Sequence, residues 1–247
     1  MNLTEFFKEN SKVAIGFSGG VDSSYLLFAG IRAGADIQAY YVNAAFQPQF
    51  EFDEAKKLAN LIGAKMKVLE LDVLSHKTVL ENRADRCYHC KLAIFGSLVA
   101  QAKADGYPLI IDGINASDDA SDRPGMKALE EMEVRSPLRE CNLTKDDIRK
   151  LSKDAGLFTW DKPSYACLAT RIPTDYTITG EMLQRVEKSE DALFALGFSD
   201  FRARVYGNAA RLQFPQSQML RALEKRAEIL EAIKPHFPII LLDMEGR

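Results

Sequence analysis

No stretch of the chain comes near the roughly twenty consecutive apolar residues that a membrane-spanning helix needs, so a spanning role is not expected. The amino terminus, Met1-Asn-Leu-Thr-Glu-Phe-Phe-Lys-Glu9, has neither the basic start nor the apolar stretch of a signal peptide, which points to the cytoplasm. Histidine is scarce: His76, His89 and His236 are scattered, and none is assigned as a catalytic base. Four cysteines in 247 residues are too few for a secreted disulfide framework, so metal or catalytic use is expected over stapling. An excess of basic charge is also missing. With 32 Lys and Arg against 35 Asp and Glu, the net charge of −3 argues against a broad nucleic-acid-binding surface, though not against a local basic groove. No internal repeat or low-complexity tract is visible, and the length allows one large domain or two modest ones.

What is present centres on Val13-Ala-Ile-Gly-Phe-Ser18-Gly19-Gly20-Val21-Asp22-Ser23-Ser24. Val13 to Phe17 reads as a short buried strand, and Asp22 to Ala33 as a helix with Tyr25, Leu26, Phe28, Ala29 and Ile31 apolar. Between them, two adjacent glycines permit a tight turn and remove the Cβ atoms that would hold an anion away from the backbone. The unpaired N–H groups of the helix's first turn face whatever binds there, and Ser18, Ser23 and Ser24 add hydroxyl donors. A phosphate-binding turn is the expectation; a tight turn with a good cap is the plain alternative. The common phosphate loop, Gly-x-x-x-x-Gly-Lys-Ser/Thr, carries a lysine to the outer phosphates, and none is present here. Ser-Gly-Gly-x-Asp-Ser instead resembles the loop of the N-type ATP pyrophosphatases (the PP-loop superfamily). That resemblance implies adenylation with release of pyrophosphate, and an ATP site drawn from Ser18, Gly19, Gly20, Val21, Asp22 and Ser23.

Further strands are expected at Ala39 to Val42, Lys65 to Leu71 and Leu109 to Asp112, with helices at Phe50 to Ile62 and Lys91 to Ala104. The alternation predicts an α/β fold with a doubly wound parallel sheet, whose ligands sit beyond the carboxyl ends of the strands. Asn43 and Asp112-Gly113 fall at such ends, so the adenosine is expected across that edge, with Asn43 and Gly113 in the ATP site. Residues 113 to 144 read as a long, polar, irregular connection in which Arg123 suits phosphate and Asp118 or Asp122 suits magnesium; a solvated acidic turn is the alternative. Thr144 and Asp147 form a capping pair for a helix ending near Gly156. After an irregular segment from Trp160 to Pro173 the pattern changes. Helices over Thr179 to Leu196 and Gln216 to Ile233, a hairpin of Phe201 to Val205 with Ala209 to Phe214, and a last strand Ile239 to Leu242 make a small α+β domain. The boundary is placed near 172 to 178, giving domains 1–175 and 176–247.

Cys87-Tyr-His-Cys90 places two thiols where they suit one metal, an iron–sulfur cluster or a redox dithiol; buried inert thiols are the alternative. With Cys167 added, three cysteines would leave one corner of a [4Fe–4S] cube open. Arg171, four residues after Cys167, and Lys162, five before it, supply positive neighbours that favour thiolate, whereas Cys141 is read as structural. Arg202 and Arg204 share one face of a strand, which suits phosphate or carboxylate, or else a solvated basic edge. Glu187 and Glu190 share a helix face, for metal or for salt bridges.

Together, Ser18-Gly-Gly-Val-Asp-Ser, Cys87-x-x-Cys90-Lys91, Asp122-Arg-Pro-Gly-Met-Lys127, Arg135-Ser-Pro-Leu138, Trp160-Asp-Lys-Pro-Ser-Tyr-Ala-Cys-Leu-Ala-Thr-Arg171 and Arg202-x-Arg204 followed by Arg211 resemble the LarE family over essentially the whole chain. The resemblance implies an ATP-dependent sulfur transferase acting on pyridinium-3,5-biscarboxylic acid mononucleotide, towards the nickel-pincer nucleotide of lactate racemase. ATP with Mg2+ would adenylate a substrate carboxylate, and sulfur would then displace AMP. Arg202, Arg204 and Arg211 would hold the substrate phosphate, and Glu190 a divalent ion; Gln213 departs from the glutamate of many relatives and weakens that ion site. Single-cysteine members sacrifice their own sulfur, while three-cysteine members carry a [4Fe–4S] cluster with an extra sulfide. Cys87, Cys90 and Cys167 select the cluster type, and the chemistry is assigned to Cys167, Cys87, Cys90, Asp22 and Arg171. Relatives also imply a homo-oligomer, trimers paired into a hexamer. A tRNA thiolase of the same superfamily is the alternative, disfavoured by the missing basic surface and RNA-binding module. An ammonia-using synthetase would not need the three cysteines, and a nucleotide sensor would bind ATP without releasing pyrophosphate.

Overall fold

Asn2 starts the first helix, α1 (Leu3–Glu9), by a reciprocal capping box: its side chain accepts from the Glu5 N–H, and Glu5 accepts from the Asn2 N–H. The computed structural model, which describes residues 1–118 and 124–247, continues with β1 (Lys12–Gly16), α2 (Val21–Arg32), β2 (Asp36–Asn43), α3 (Gln49–Leu61) and β3 (Lys65–Glu70). A short α4 (Lys77–Leu80), the long α5 (Arg86–Ala104) and β4 (Leu109–Ile111) follow. Among the described residues β1 to β4 form one parallel sheet in the order β3-β2-β1-β4. This is the expected doubly wound α/β arrangement.

Alternation along the strands feeds two cores. Val13 and Ile15 of β1 and Ile37, Ala39 and Tyr41 of β2 bury one face against Phe6, Leu26, Leu27, Leu58 and Ile148. Ala14, Tyr40, Val42 and Ile110 bury the other face against Phe95 and Leu98 of α5. The order of pairing matters for function. The chain runs β1 to β2 to β3 in one direction and then returns to the opposite side of β1 for β4, so the topological switch lies between the carboxyl ends of β1 and β4.

Two helices, α6 (Pro124–Glu131) and α7 (Pro137–Glu140), lie inside the stretch 113 to 144 that reads as irregular. Ala128 and Leu129 of α6 are buried, and Gly125 lets it approach the Lys91 side chain of α5. The next helix, α8 (Lys145–Asp154), has the expected cap in both directions between Thr144 and Asp147.

The described residues divide into two compact units, Met1–Val73 with Asp85–Lys162 and Leu74–Ala84 with Pro163–Arg247. The break therefore comes at Lys162/Pro163, before the expected 172 to 178, and an earlier loop joins the second unit. Hydrogen bonds explain both points. Asn82 donates to Pro173 O at 2.7 Å, the Asp175 N–H donates to Asn82 O, and the Ile178 N–H to Leu80 O. The second unit continues with α9 (Gly180–Ala195), β5 (Arg202–Tyr206), β6 (Ala209–Gln213), α10 (Gln216–Glu224), α11 (Arg226–Ile233) and β7 (Ile239–Leu242). β5 and β6 pair antiparallel, and β6 and β7 parallel, over a core including Leu193, Phe201, Phe214, Ile233 and Phe237. The single helix expected over 216 to 233 is broken at Lys225, whose ψ of 16° leaves the helical range with no proline or glycine to announce it.

Candidate active site

The turn joining β1 to α2 is built as a cradle of backbone and hydroxyl donors. Gly19 takes φ +71°, and a Cβ there would lie 2.8 Å from the Ala55 Cβ of α3, so this position admits no side chain. Gly20 is the N-cap of α2 without a side-chain cap, which leaves the first-turn N–H groups of Val21, Asp22 and Ser23 facing outward from the helix end. Ser18 and Ser23 set the shape of the turn. Their hydroxyls lie 3.1 Å apart, the Ser18 N–H donates to Ser23 Oγ at 3.3 Å, and the Gly20 N–H donates to Ser18 Oγ at 3.3 Å.

From the other side of the switch point comes Gly113. A Cβ on it would sit 2.9 Å from the Ser23 N, so the loop after β4 presses directly on the cradle. Its neighbour Asp112 is buried and accepts from the Ile114 N–H at 3.1 Å and the Ser136 hydroxyl at 2.8 Å, both on Oδ1. Burial pushes the Asp112 carboxyl above its ordinary value, against the pull of those two hydrogen bonds and of the Lys91 and Arg139 charges. Asn115 donates to Asp22 Oδ1 at 3.4 Å, while Lys145 Nζ lies 2.6 Å from Asp22 Oδ2. Asn43, at the end of β2, donates to Glu70 at 2.9 Å. Asp118 accepts from the Asn115 N–H. Asp122 and Arg123 lie outside the described residues. Lys145 has no counterpart in the loop motif; only the capped helix that carries it is legible in sequence.

Helix α5 begins at Arg86, five residues before its expected start, so Cys87 and Cys90 stand on its first two turns. Three apart, they share a helix face. The Arg86 guanidinium lies 3.8 Å from Cys87 Sγ, at the helix end where negative charge is favoured. Cys87 is exposed, Cys90 and Cys167 are partly buried, and no disulfide joins cysteines among the described residues. Cys87 and Cys90 belong to the first unit and Cys167 to the second. Among the described residues no set of three His, Cys, Asp or Glu side chains is gathered as for a metal ion. The two α5 thiols suit adjacent ligands of one group. Cys141 is partly buried, and burial raises its thiol, in keeping with a structural part.

In the second unit, Cys167 is the N-cap of a 3-10 turn, Leu168–Arg171. Arg171 is wholly buried. It donates through Nε at 2.9 Å and Nη2 at 3.0 Å to the two Glu190 oxygens, and through Nη1 to the Ala166 and Cys167 carbonyls. Burial works against its charge, but Glu190 outweighs burial and holds its pKa above the ordinary value. Cys167 adds a smaller part to that upward shift of Arg171, while Lys162 pairs with Glu54 at 2.6 Å and Glu51 at 3.7 Å.

Glu190 also accepts from the Ala203 N–H at 2.9 Å and from the Tyr165 hydroxyl. Its oxygens are thus engaged by four protein donors, an arrangement for a buried ion pair rather than an open cation site. The neighbouring Gln213 accepts from Arg204 at 2.5 Å and donates to Asp243 at 2.7 Å. That hydrogen bond, ahead of the Arg211 and Arg204 charges, lowers the Asp243 carboxyl.

Arg202 and Arg204 share the expected strand face, but their guanidinium groups diverge. Arg202 donates to the Phe201 and Ser164 carbonyls and stacks over Tyr165, whereas Arg204 donates to Thr170 O and, with Arg211, lines a cavity of about 620 Å³. Tyr176 and Tyr206, both exposed, are also part of its wall. Burial and then the Arg171 charge lower the pKa of both Arg202 and Arg204.

A lysine-free Ser-Gly-Gly turn between the first strand and helix, set at the switch point of a 3-2-1-4 parallel sheet, fits a PP-loop ATP pyrophosphatase fold. No family model matches the chain. It is 32% identical to the pyridinium-3,5-bisthiocarboxylic acid mononucleotide synthase of Lactiplantibacillus plantarum over 88% of this chain and 79% of that one. It is 34% identical to an uncharacterised protein of Synechocystis sp. over 99% of this chain and 93% of that one. A tRNA-specific 2-thiouridylase, MnmA of Thermotoga petrophila, is more distant, at 22% over 59% of this chain and 52% of its own. The chain therefore belongs to the family of pyridinium-3,5-bisthiocarboxylic acid mononucleotide synthases, the LarE family, and is an enzyme of that adenylating sulfur-transferase type.

Proposed function

We propose that this chain converts a carboxylate of pyridinium-3,5-biscarboxylic acid mononucleotide into a thiocarboxylate at the cost of ATP. A carboxylate is a poor electrophile because its leaving group would be oxide. Attack of a carboxylate oxygen on the α-phosphorus of Mg-ATP breaks the bond to the bridging oxygen, releases pyrophosphate and leaves an acyl-adenylate. A sulfur nucleophile then adds to the acyl carbon, and AMP departs with its bridging oxygen. The turn Ser18 to Ser23 holds the β,γ-phosphates, with Asp22 in its first helical turn and Gly113 keeping the opposite wall close; Asn43 borders the nucleotide. The observation that carries this reading is the cradle itself: a glycine at φ +71° and a second loop within backbone contact of Ser23, in a chain of this family.

In the second unit, Arg204 and Arg211 bind the mononucleotide phosphate at the cavity they line, and Arg202 supports the same strand through its carbonyl contacts. Arg171 fixes the Cys167 turn by donating to its carbonyls. Cys87, Cys90 and Cys167 would hold a [4Fe–4S] cluster, which when bound supplies an open iron for an exchangeable sulfide. The paired α5 thiols support that assignment.

The test is product analysis. With the mononucleotide and Mg-ATP, the chain should yield AMP and pyrophosphate, and with sulfide a product in which oxygen is replaced by sulfur. ADP and orthophosphate would overturn adenylation, and stimulation by tRNA in place of the mononucleotide would move the activity to RNA thiolation. Anaerobic reconstitution with iron and sulfide should load the wild type and not Cys87→Ala; equal iron uptake would return the sulfur source to a sacrificed cysteine.

A further inference from the structure

Several tyrosine hydroxyls are tied to carboxylates of the fold: Tyr40 to Asp105, Tyr107 to Asp36, Tyr88 to Glu131 and Tyr165 to Glu190. Tyr176 and Tyr206 are not. They are 51% and 61% exposed, and among the described residues neither ring packs on another ring and neither hydroxyl is hydrogen-bonded. Both line the cavity of about 620 Å³ that Arg204 and Arg211 also line. We propose that Tyr176 and Tyr206 are the ring-binding wall of this cavity, holding the pyridinium ring of the mononucleotide by cation–π contact while Arg204 and Arg211 hold its phosphate. The inference rests on the reading of this cavity as the mononucleotide site.

The charges of such a ligand ask for two kinds of wall. A pyridinium ring carries a fixed positive charge, so guanidinium groups repel it while they attract the phosphate. A phenol ring offers a cation its electron-rich face and stacks on a flat ring at the same time. Tyr206 stands two residues after Arg204 on β5, so the two share a face, and its cross-strand partner is Ala209, too small to cover a phenol ring. Arg204 lies directly opposite Arg211, which puts anion-binding and ring-binding groups on neighbouring rungs of one hairpin face. Tyr176 closes a turn by donating its N–H to Pro173 O at 3.1 Å. That turn is pinned from below by Asn82, which is buried, donates to Pro173 O and accepts from the Asp175 N–H. Rings held in the open on pinned backbone keep the ordering cost of binding low. Aromatic residues that serve only the core of this unit, such as Phe201 and Phe214, are buried instead.

Two probes separate the ring from the phosphate: nicotinic acid mononucleotide, a pyridinium carboxylate on a ribose phosphate, and ribose 5-phosphate, which has no ring. Isothermal titration of the full chain should show the wild type binding the mononucleotide the more tightly of the two. The double variant Tyr176→Leu/Tyr206→Leu should bind the mononucleotide at least about tenfold more weakly, as expected for two lost cation–π contacts. Its affinity for ribose 5-phosphate should stay within about twofold of wild type. Tyr176→Phe/Tyr206→Phe keeps both ring faces and should bind the mononucleotide nearly as the wild type does; loss of binding there would assign the contact to the hydroxyls and overturn the proposal. Mononucleotide affinity unchanged in the leucine variant would overturn it while leaving the phosphate reading intact. Equal weakening of both probes would overturn it in favour of a structural role for the tyrosines. A wild type that binds neither probe would remove the reading of the cavity and this inference with it.

Discussion

At Gly113 the cradle has no room for a single added carbon. A Cβ would lie 2.9 Å from the Ser23 N and 3.2 Å from its Cα, and neither backbone atom moves without deforming the anion turn. Gly113→Ala should therefore cost about 1–3 kcal/mol of stability, the usual range for overpacking, and reduce pyrophosphate release more than it reduces the melting temperature. Urea unfolding beside a pyrophosphate assay checks this; normal release in a destabilised variant would remove Gly113 from the site. The pKa of Asp112, one residue earlier, is shifted in the opposite direction to that of most carboxylates in folded proteins. Burial raises its folded pKa above the unfolded value, so its contribution to stability is fully present below the unfolded pKa and is lost as pH rises through the folded one. Relative to Asp112→Asn, which cannot ionise, the wild type should lose stability from acidic towards neutral pH. Melting curves of the two proteins across that range should diverge in this direction, and parallel curves would refute it.

Among elements, α8 shows how much a local signal settles. Thr144 accepts from the Asp147 N–H at 3.2 Å and Asp147 accepts from the Thr144 N–H at 3.0 Å, as that spacing predicts. Thr144→Ala should cost about 0.5–2 kcal/mol, measurable by urea unfolding. The strand–turn–helix order around Ser18, the parallel sheet and the hairpin of β5 and β6 were equally legible, because alternation and periodicity act over a few residues. The start of α5 at Arg86 was hidden because its first turn carries polar and charged residues in place of an apolar period. α6 and α7 were hidden by their prolines, which read as loop but sit at helix starts, where a missing N–H costs nothing. The loop motif marks the Ser18–Ser23 turn, and a strand end marks Gly113, which the fold brings against Ser23. Lys145 escaped because its partner lies 123 residues away and only the fold joins them.

For the molecule as a whole, the division into two units hides in sequence for the same reason: residues 74 to 84 interrupt the first unit and belong to the second. The second unit is organised around one buried charge pair. Arg171 and Glu190 have side chains 0% and 1% exposed, and the Glu190 oxygens join α9 to the Cys167 turn, to Tyr165 and to the β5 backbone at Ala203. A buried pair of this kind adds little over an apolar one, but removing one partner strands the other charge in the interior, at about 3–5 kcal/mol. Glu190→Ala should thus destabilise the second unit far more than it changes any surface property. Hydrogen exchange on the full chain should show lost protection in β5 and β6 and in the Leu168–Arg171 turn, with β1 and β2 protected as before. If Glu190 served chiefly to bind a divalent ion, the variant would keep wild-type protection in β5 and differ only when metal is added. A fall in protection spread evenly over both sheets would instead mean that the two units unfold as one.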